Sequence, residues 1–115
     1  MTTDLNCIFC KIVARELKSD IVAEDERTVA FNDLAPAAPT HVLVVTRTHF
    51  ANAAAVTDPE DLHAMFQMAR RVAADRGVEE SGYRLVLNTG PNAQQSVFHV
   101  HMHVLGGRQM TWPPG

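Results

Sequence analysis

The chain has no surplus of positive charge: ten Lys and Arg face thirteen Asp and Glu, for a formal charge of -3 with histidine neutral. A protein that holds nucleic acid by neutralising phosphates needs a basic footprint, so a nucleic-acid partner is not expected. Nor does any apolar run approach the roughly 18 residues of a membrane helix. The opening MTTDLNCIFCKIVARELK lacks the basic stretch and apolar core of a secretory signal. A cytoplasmic protein without membrane contact is expected. Cysteine is scarce too. Cys7 and Cys10 are the only two, too close in sequence to staple a fold. Internal repeats and low-complexity stretches are missing, and the remaining composition is ordinary, with 46% hydrophobic and 20% charged residues in a length of 115. That predicts one globular domain over residues 1–115 with a real core.

What is present reads as an alternation of short elements. Cys7 to Val13 suits a short helix with Ile8, Phe9 and Ile12 on its apolar side. Strands are expected at 21–23 and 28–32 around the charged turn Glu24-Asp25-Glu26-Arg27. After a proline-rich turn over 35–40, the VLVV run within 41–46 reads as a well-buried strand. Asp58 followed by Pro59 is a helix start, and Leu62, Met65, Phe66, Ala69, Val72 and Ala73 recur at spacings of three and four up to a stop near Gly77. Strands over 83–88 and 97–105 complete the order β-β-β-α-β-β. An α+β fold follows, a mostly antiparallel sheet covered by one long helix.

The last of these strands carries HVHMHVLGG, His99 to Gly107, which holds half of the six histidines. Strand residues i and i+2 share a face about 6.6–6.8 Å apart. His99, His101 and His103 therefore line one side, and Phe98, Val100, Met102 and Val104 the other, where the long helix would pack. A helix would scatter the imidazoles and leave no apolar side. A single strand histidine is ordinarily just a half-exposed polar residue. Three titratable rings in register serve no generic folding need and repel when more than one is protonated, so they point to chemistry. Two kinds fit: metal ligation by neutral imidazole, and nucleophilic or acid–base catalysis in which the middle ring attacks and its neighbours tune it. The preceding loop, with Asn88, Thr89, Gly90, Asn92, Gln94, Gln95 and Ser96, favours catalysis, because its amides and N–H groups can hold phosphoryl oxygens. Without the histidines it would read as a plain surface loop, and Asp33 as a turn-forming aspartate.

The motif from His99 to Leu105 is the pattern that names the histidine triad superfamily. FNDLAPAAPTHVLVVTRTH (31–49), QSVFHVHMHVLGGRQM (95–110) and the terminal WPPG also resemble its nucleotide-binding branch, from about Cys7 to Gly115. The resemblance implies a five-stranded antiparallel sheet that pairs in a homodimer into a ten-stranded one. It implies a purine nucleotide partner (AMP or GMP) and hydrolysis of purine nucleoside 5′-phosphoramidates, of the AMP-amine, AMP-lysine or aminoacyl-adenylate type. By the same resemblance His101 is the nucleophile, with His99, His103, His41 and Ser96 completing the catalytic set. Gln95 and Ser96 would contact the bridging atom, and Asp33 the ribose hydroxyls. Ile8, Phe9, Ile12, Leu17, Phe31 and Leu34 would surround the base, and Asn88 and Val97 would lie near the phosphate. Relatives with nucleotidyl transferase activity end the triad in Gln, so His103 favours hydrolysis. A nucleotide- and zinc-binding regulatory module with little turnover and a dinucleoside polyphosphate hydrolase are the alternatives. No redox or nucleotide cofactor and no magnesium motif is expected.

Cys7-Ile8-Phe9-Cys10 has the spacing of half a zinc site, and no βαβ setting supports a redox pair. In bacterial-type relatives with this CxxC, the resemblance implies that His49 and His99 complete a tetrahedral structural zinc site with Cys7 and Cys10. His63, on the long helix, is expected at the surface. Three departures from the family stand out. Gln94 replaces a glycine before the Gln-Ser pair, the TGPNA segment differs, and Thr111 precedes Trp112 where relatives carry histidine. The tail of the family approaches the partner subunit's site.

Overall fold

A computed structural model describes residues 2–115. In chain order it contains α1 (Ile8–Val13), β1 (Ile21–Glu24), β2 (Thr28–Asn32), β3 (Thr40–Thr46), α2 (Pro59–Asp75), β4 (Tyr83–Val86) and β5 (His101–Gly106). The five strands form one antiparallel sheet in the order β1-β2-β3-β5-β4. Among the described residues no helix is long and apolar enough to cross a membrane.

The long helix starts as its residues dictate. The Asp58 side chain accepts the Glu60 N–H at 2.9 Å and Pro59 opens the first turn. Its stop is equally local, since Gly77 adopts φ +68° just past Arg76. Met65, Met68, Ala69 and Val72 pack on Ala30, Val42, Val44, Val100, Met102 and Val104 of the sheet. Leu62 and Phe66, expected in the buried stripe, are instead 41% and 50% exposed. Met68 takes the buried place, because the helix turns the face formed by Met65, Met68, Ala69 and Val72 onto the sheet.

A second apolar layer covers the other face, where Phe9, Cys10 and Ile12 of α1 meet Val29, Phe31, Leu43 and Val45. Strand β3 is thus buried along both faces, as a continuous apolar run predicts.

Two strand expectations need correction. Strand β4 ends at Val86, before Leu87 and Asn88. Strand β5 begins at His101, not Val97, and its last pair with β3 is Val45 with His101. The physical reason is that the next β3 carbonyl, that of Thr46, accepts the His99 ring Nε2–H at 2.7 Å. A side chain thus replaces the ladder. Phe98 then belongs to a loop and is 66% exposed, outside the core it was expected to join.

Candidate active site

The central strands bring three imidazoles together. Register pairs Leu43 with His103 and Val45 with His101, so His41, two residues before Leu43, lies on the same face. Hydrogen-bond partners then set each tautomer. The Ala37 N–H donates to His41 Nδ1 at 2.9 Å, so His41 carries its proton on Nε2. That Nε2–H donates to His103 Nδ1 at 2.8 Å, which leaves the His103 proton on its own Nε2. Separately, His101 Nδ1–H donates to the His99 carbonyl at 2.7 Å, and Nε2 of His101 is left with the lone pair.

Burial favours the neutral form of His41 and His103. His103 is pushed down to about 4, chiefly by desolvation and then by the neighbouring His101 and His41. Desolvation also lowers His41, against the opposing pull of the Asp33 carboxylate, whose Oδ2 lies 3.4 Å from His41 Nε2. The Phe9 ring meets His101 edge-on at 5.1 Å between centroids.

His101 and His103 open into a cleft of about 340 Å³, within the range of small-ligand sites. Its walls bring together many of the residues the sequence singled out: Ile8, Phe9, Ile12, Leu17, Phe31, Asp33, Leu34, Ser96 and Val97. Two others stand apart. The Gln95 amide is spent on the loop backbone, accepting from Gly90 N–H and donating to the Ala51 and Val97 carbonyls. Asn88 Nδ2 donates to the Ala93 carbonyl at 2.8 Å. Both shape the loop and neither lines the cleft. Lys18, Ser19, Asn32 and Leu43 also line it and went unnoticed in the sequence. Alternation along β3 from His41 is the signal that puts Leu43 on the site face. A wider concavity of about 640 Å³ lies between the β1–β2 turn and α2, beside the exposed His63. It holds none of the paired imidazoles, so chemistry is assigned to the smaller cleft.

Beside His101 the chain forms a second cluster. Cys7 caps α1, its Sγ accepting the Cys10 N–H at 3.4 Å, and the Asp4 N–H points at Cys10 Sγ at 3.5 Å. His99 Nδ1 lies 3.3 Å from Cys7 Sγ, 3.5 Å from Cys10 Sγ and 3.2 Å from His49 Nδ1, while His49 Nδ1 is 3.4 Å from Cys10 Sγ. A tetrahedral zinc with bonds of about 2.0–2.3 Å sets its ligand atoms roughly 3.3–3.8 Å apart. The four donors therefore fit such an ion. His99 is committed to this use, because its Nε2–H is held by the Thr46 carbonyl and only Nδ1 remains to face the sulfurs. Burial pushes His99 down to about 4 and pushes the Cys10 thiol up.

Comparisons with known proteins agree with this geometry. A family model described as HIT domain matches residues 14–110. The chain is 43% identical to the "14 kDa zinc-binding protein" of Zea mays, over 97% of this chain and 90% of that one. It is 38% identical to "Adenylylsulfatase HINT1" of Arabidopsis thaliana, over 98% of this chain and 79% of that one. The crystal structure of a HIT family hydrolase from Legionella pneumophila Philadelphia 1 superposes with a TM-score of 0.92 at 46% identity, covering 96% of this chain and all of that one. With its fold, its aligned imidazoles and a family match over most of its length, the chain belongs to the HIT domain family.

Proposed function

We propose that the chain hydrolyses purine nucleoside 5′-phosphoramidates through a nucleotidyl-His101 intermediate. The observation that carries this reading is the 2.7 Å bond from His101 Nδ1–H to the His99 carbonyl. It leaves Nε2 unprotonated, as a nucleophile must be, and gives the proton on Nδ1 a fixed acceptor. When Nε2 bonds to phosphorus the ring becomes cationic, and that acceptor stabilises the charge.

The Nε2 lone pair forms the N–P bond while the P–N bond to the amine breaks, its electron pair going to the amine nitrogen. That nitrogen takes a proton relayed through the Ser96 hydroxyl. Water then attacks phosphorus and gives up a proton that restores the Ser96 hydroxyl, and the imidazole leaves with its lone pair restored. His103 Nε2–H supplies a donor to a phosphoryl oxygen, with its tautomer fixed by His41. Apolar Ile8, Phe9, Ile12, Leu17, Phe31 and Leu34 take the base, and Asp33 takes the ribose hydroxyls.

Cys7, Cys10, His49 and His99 would hold a structural zinc, closed by four protein ligands, that anchors α1 to the sheet. In the same proposal the chain works as a cytoplasmic homodimer of one domain. An adenylyl sulfate would meet the same nucleophile, with sulfate leaving in place of the amine, and the Arabidopsis relative's name makes it a necessary member of any substrate panel.

The test is rapid quenching of enzyme with adenosine 5′-phosphoramidate, followed by mass spectrometry of the acid-labile adduct. We expect AMP on His101, and we expect His101→Ala to lose turnover by at least about 10⁴-fold while staying folded. An adduct elsewhere, or turnover in the variant equal to that of the wild type, refutes the reading.

A further inference from the structure

The register of the sheet gives the cleft a direction. Ile21 pairs with Phe31, Phe31 with Leu43 and Leu43 with His103, one row across β1, β2, β3 and β5. Directly paired residues share a face, and Ile21, Phe31 and Leu43 pack in the same apolar layer. Three strand spacings of about 4.8 Å set the ends of this row roughly 14 Å apart. The imidazoles mark the β5 end. Lys18 and Ser19 stand just ahead of Ile21 in the chain and line the same cleft, so they mark the β1 end. Between the two ends the Phe9 ring meets His101 at 5.1 Å and Phe31 at 5.4 Å between centroids. A nucleotide with its phosphorus at His101 therefore points its base toward β1. Purines are joined to ribose at N9, so the 6-substituent lies far from the sugar and arrives at the β1 end.

Three polar residues line that end: Lys18, Ser19 and Asn32. The Asn32 amide is spent elsewhere, since Oδ1 accepts from Arg76 at 2.6 Å and Nδ2 donates to Asp20 Oδ2 at 2.7 Å. A serine hydroxyl donates or accepts equally well, so Ser19 does not tell a carbonyl oxygen from an amino group. The Lys18 ammonium can only donate. It is exposed, and among the described residues it enters none of the ion pairs.

Resting on the nucleotide reading of the cleft, we propose that Lys18 makes this chain select 6-oxopurine nucleotides, those of guanine or hypoxanthine, over adenine nucleotides. The ammonium donates to O6, with N7 as a second acceptor on the same edge. Adenine presents amino hydrogens where O6 would be, and donor then faces donor.

The 5′-phosphoramidates of adenosine, guanosine and inosine, all with ammonia as the leaving group, test this. Phosphorus and leaving group are common to the three, so ratios of kcat/KM read the base contact alone. Wild type is expected to favour inosine and guanosine over adenosine by about fivefold, the low end of a lysine contact to a base edge. Lys18→Met keeps the stem without the charge and should bring both ratios to within about twofold of one. Lys18→Glu, which accepts from the 6-amino group, should turn the preference toward adenosine. Ratios near one in wild type, or a preference that survives Lys18→Met, overturn the proposal. A preference for guanosine that inosine does not share points to the 2-amino group and overturns it too. If wild type hydrolyses none of the three, the hydrolase reading fails, and calorimetric affinities for IMP and AMP carry the same comparison. IMP must then bind about fivefold more tightly and lose that margin in Lys18→Met, or the selectivity falls independently.

Discussion

Gln94 occupies the left-handed region at φ 58° and ψ 43°. A side chain there costs about 1–2 kcal/mol relative to glycine, while glycine costs about 0.5–1 kcal/mol more in unfolded-chain entropy. Gln94→Gly should therefore raise stability by up to about 1 kcal/mol, read by urea denaturation. A lower midpoint would show that the loop is not strained at this residue. The departure from the family's glycine was legible in the chain, but the sign of φ was not.

His103 sets the second residue-scale expectation. Its neighbours are His101, His41 and Asp33, and its value of about 4 in the fold lies below the ordinary 6.5. The unfolded chain thus binds the extra proton first, so this contribution to stability is complete above about pH 6.5 and is lost as pH falls through about 4. Denaturation between pH 7.5 and 4 should show a shallower acid loss in His103→Gln than in wild type. Equal slopes would mean that His103 titrates as an exposed histidine does. The aligned rings could be read from alternate positions, whereas the hydrogen bond that chooses the His103 tautomer comes from His41, 62 residues away along the chain.

At the scale of elements, strand and helix types followed from local pattern, and their ends depended on partners. Periodicity in 59–75 announced the helix, and Asp58-Pro59 announced its start. Which side of it faces the sheet was settled by packing, which chose Met68 over Leu62 and Phe66. The start of β5 was invisible in HVHMHV because a ring nitrogen displaces a backbone partner there. Arg27 illustrates a contact between elements that no local pattern reveals. It leaves the β1–β2 turn to pair with Asp58, Glu60 and Asp61 at the head of α2. Asp61 is 5% exposed, so Arg27→Ala leaves a buried carboxylate without its cation and should lower the urea midpoint. An unchanged midpoint would show that water takes over the pairing.

For the molecule as a whole, one sheet separates two apolar layers of unequal strength. The α2 side is a continuous core, while the α1 side hangs on six helical residues. A helix that short has little stability of its own, so beside the packing of Phe9 and Ile12 a zinc held by Cys7, Cys10, His49 and His99 would be the tie that holds it down. Zinc measured in protein purified without added metal should approach one per chain and be lost in Cys7→Ala. Removing it with a chelator should lower the melting temperature by on the order of 10 °C, since metal binding is folding free energy. It should also slow turnover, because the His99 carbonyl that orients His101 sits on the ligand residue itself. Metal-free protein with an unchanged melting curve would remove the tie.

Composition, charge and short-range spacing were enough for the fold class, the order of elements, the histidine face and the CxxC half-site, because each depends on residues within a turn or a strand of one another. Folding alone brought Cys7 and Cys10 to within ligand reach of His49 and His99, set His41 against His103, and turned Gln95 inward and Phe98 outward. Those outcomes depend on which partner lies across the sheet or the loop, and the free energy that decides among partners is spread over the entire packed chain.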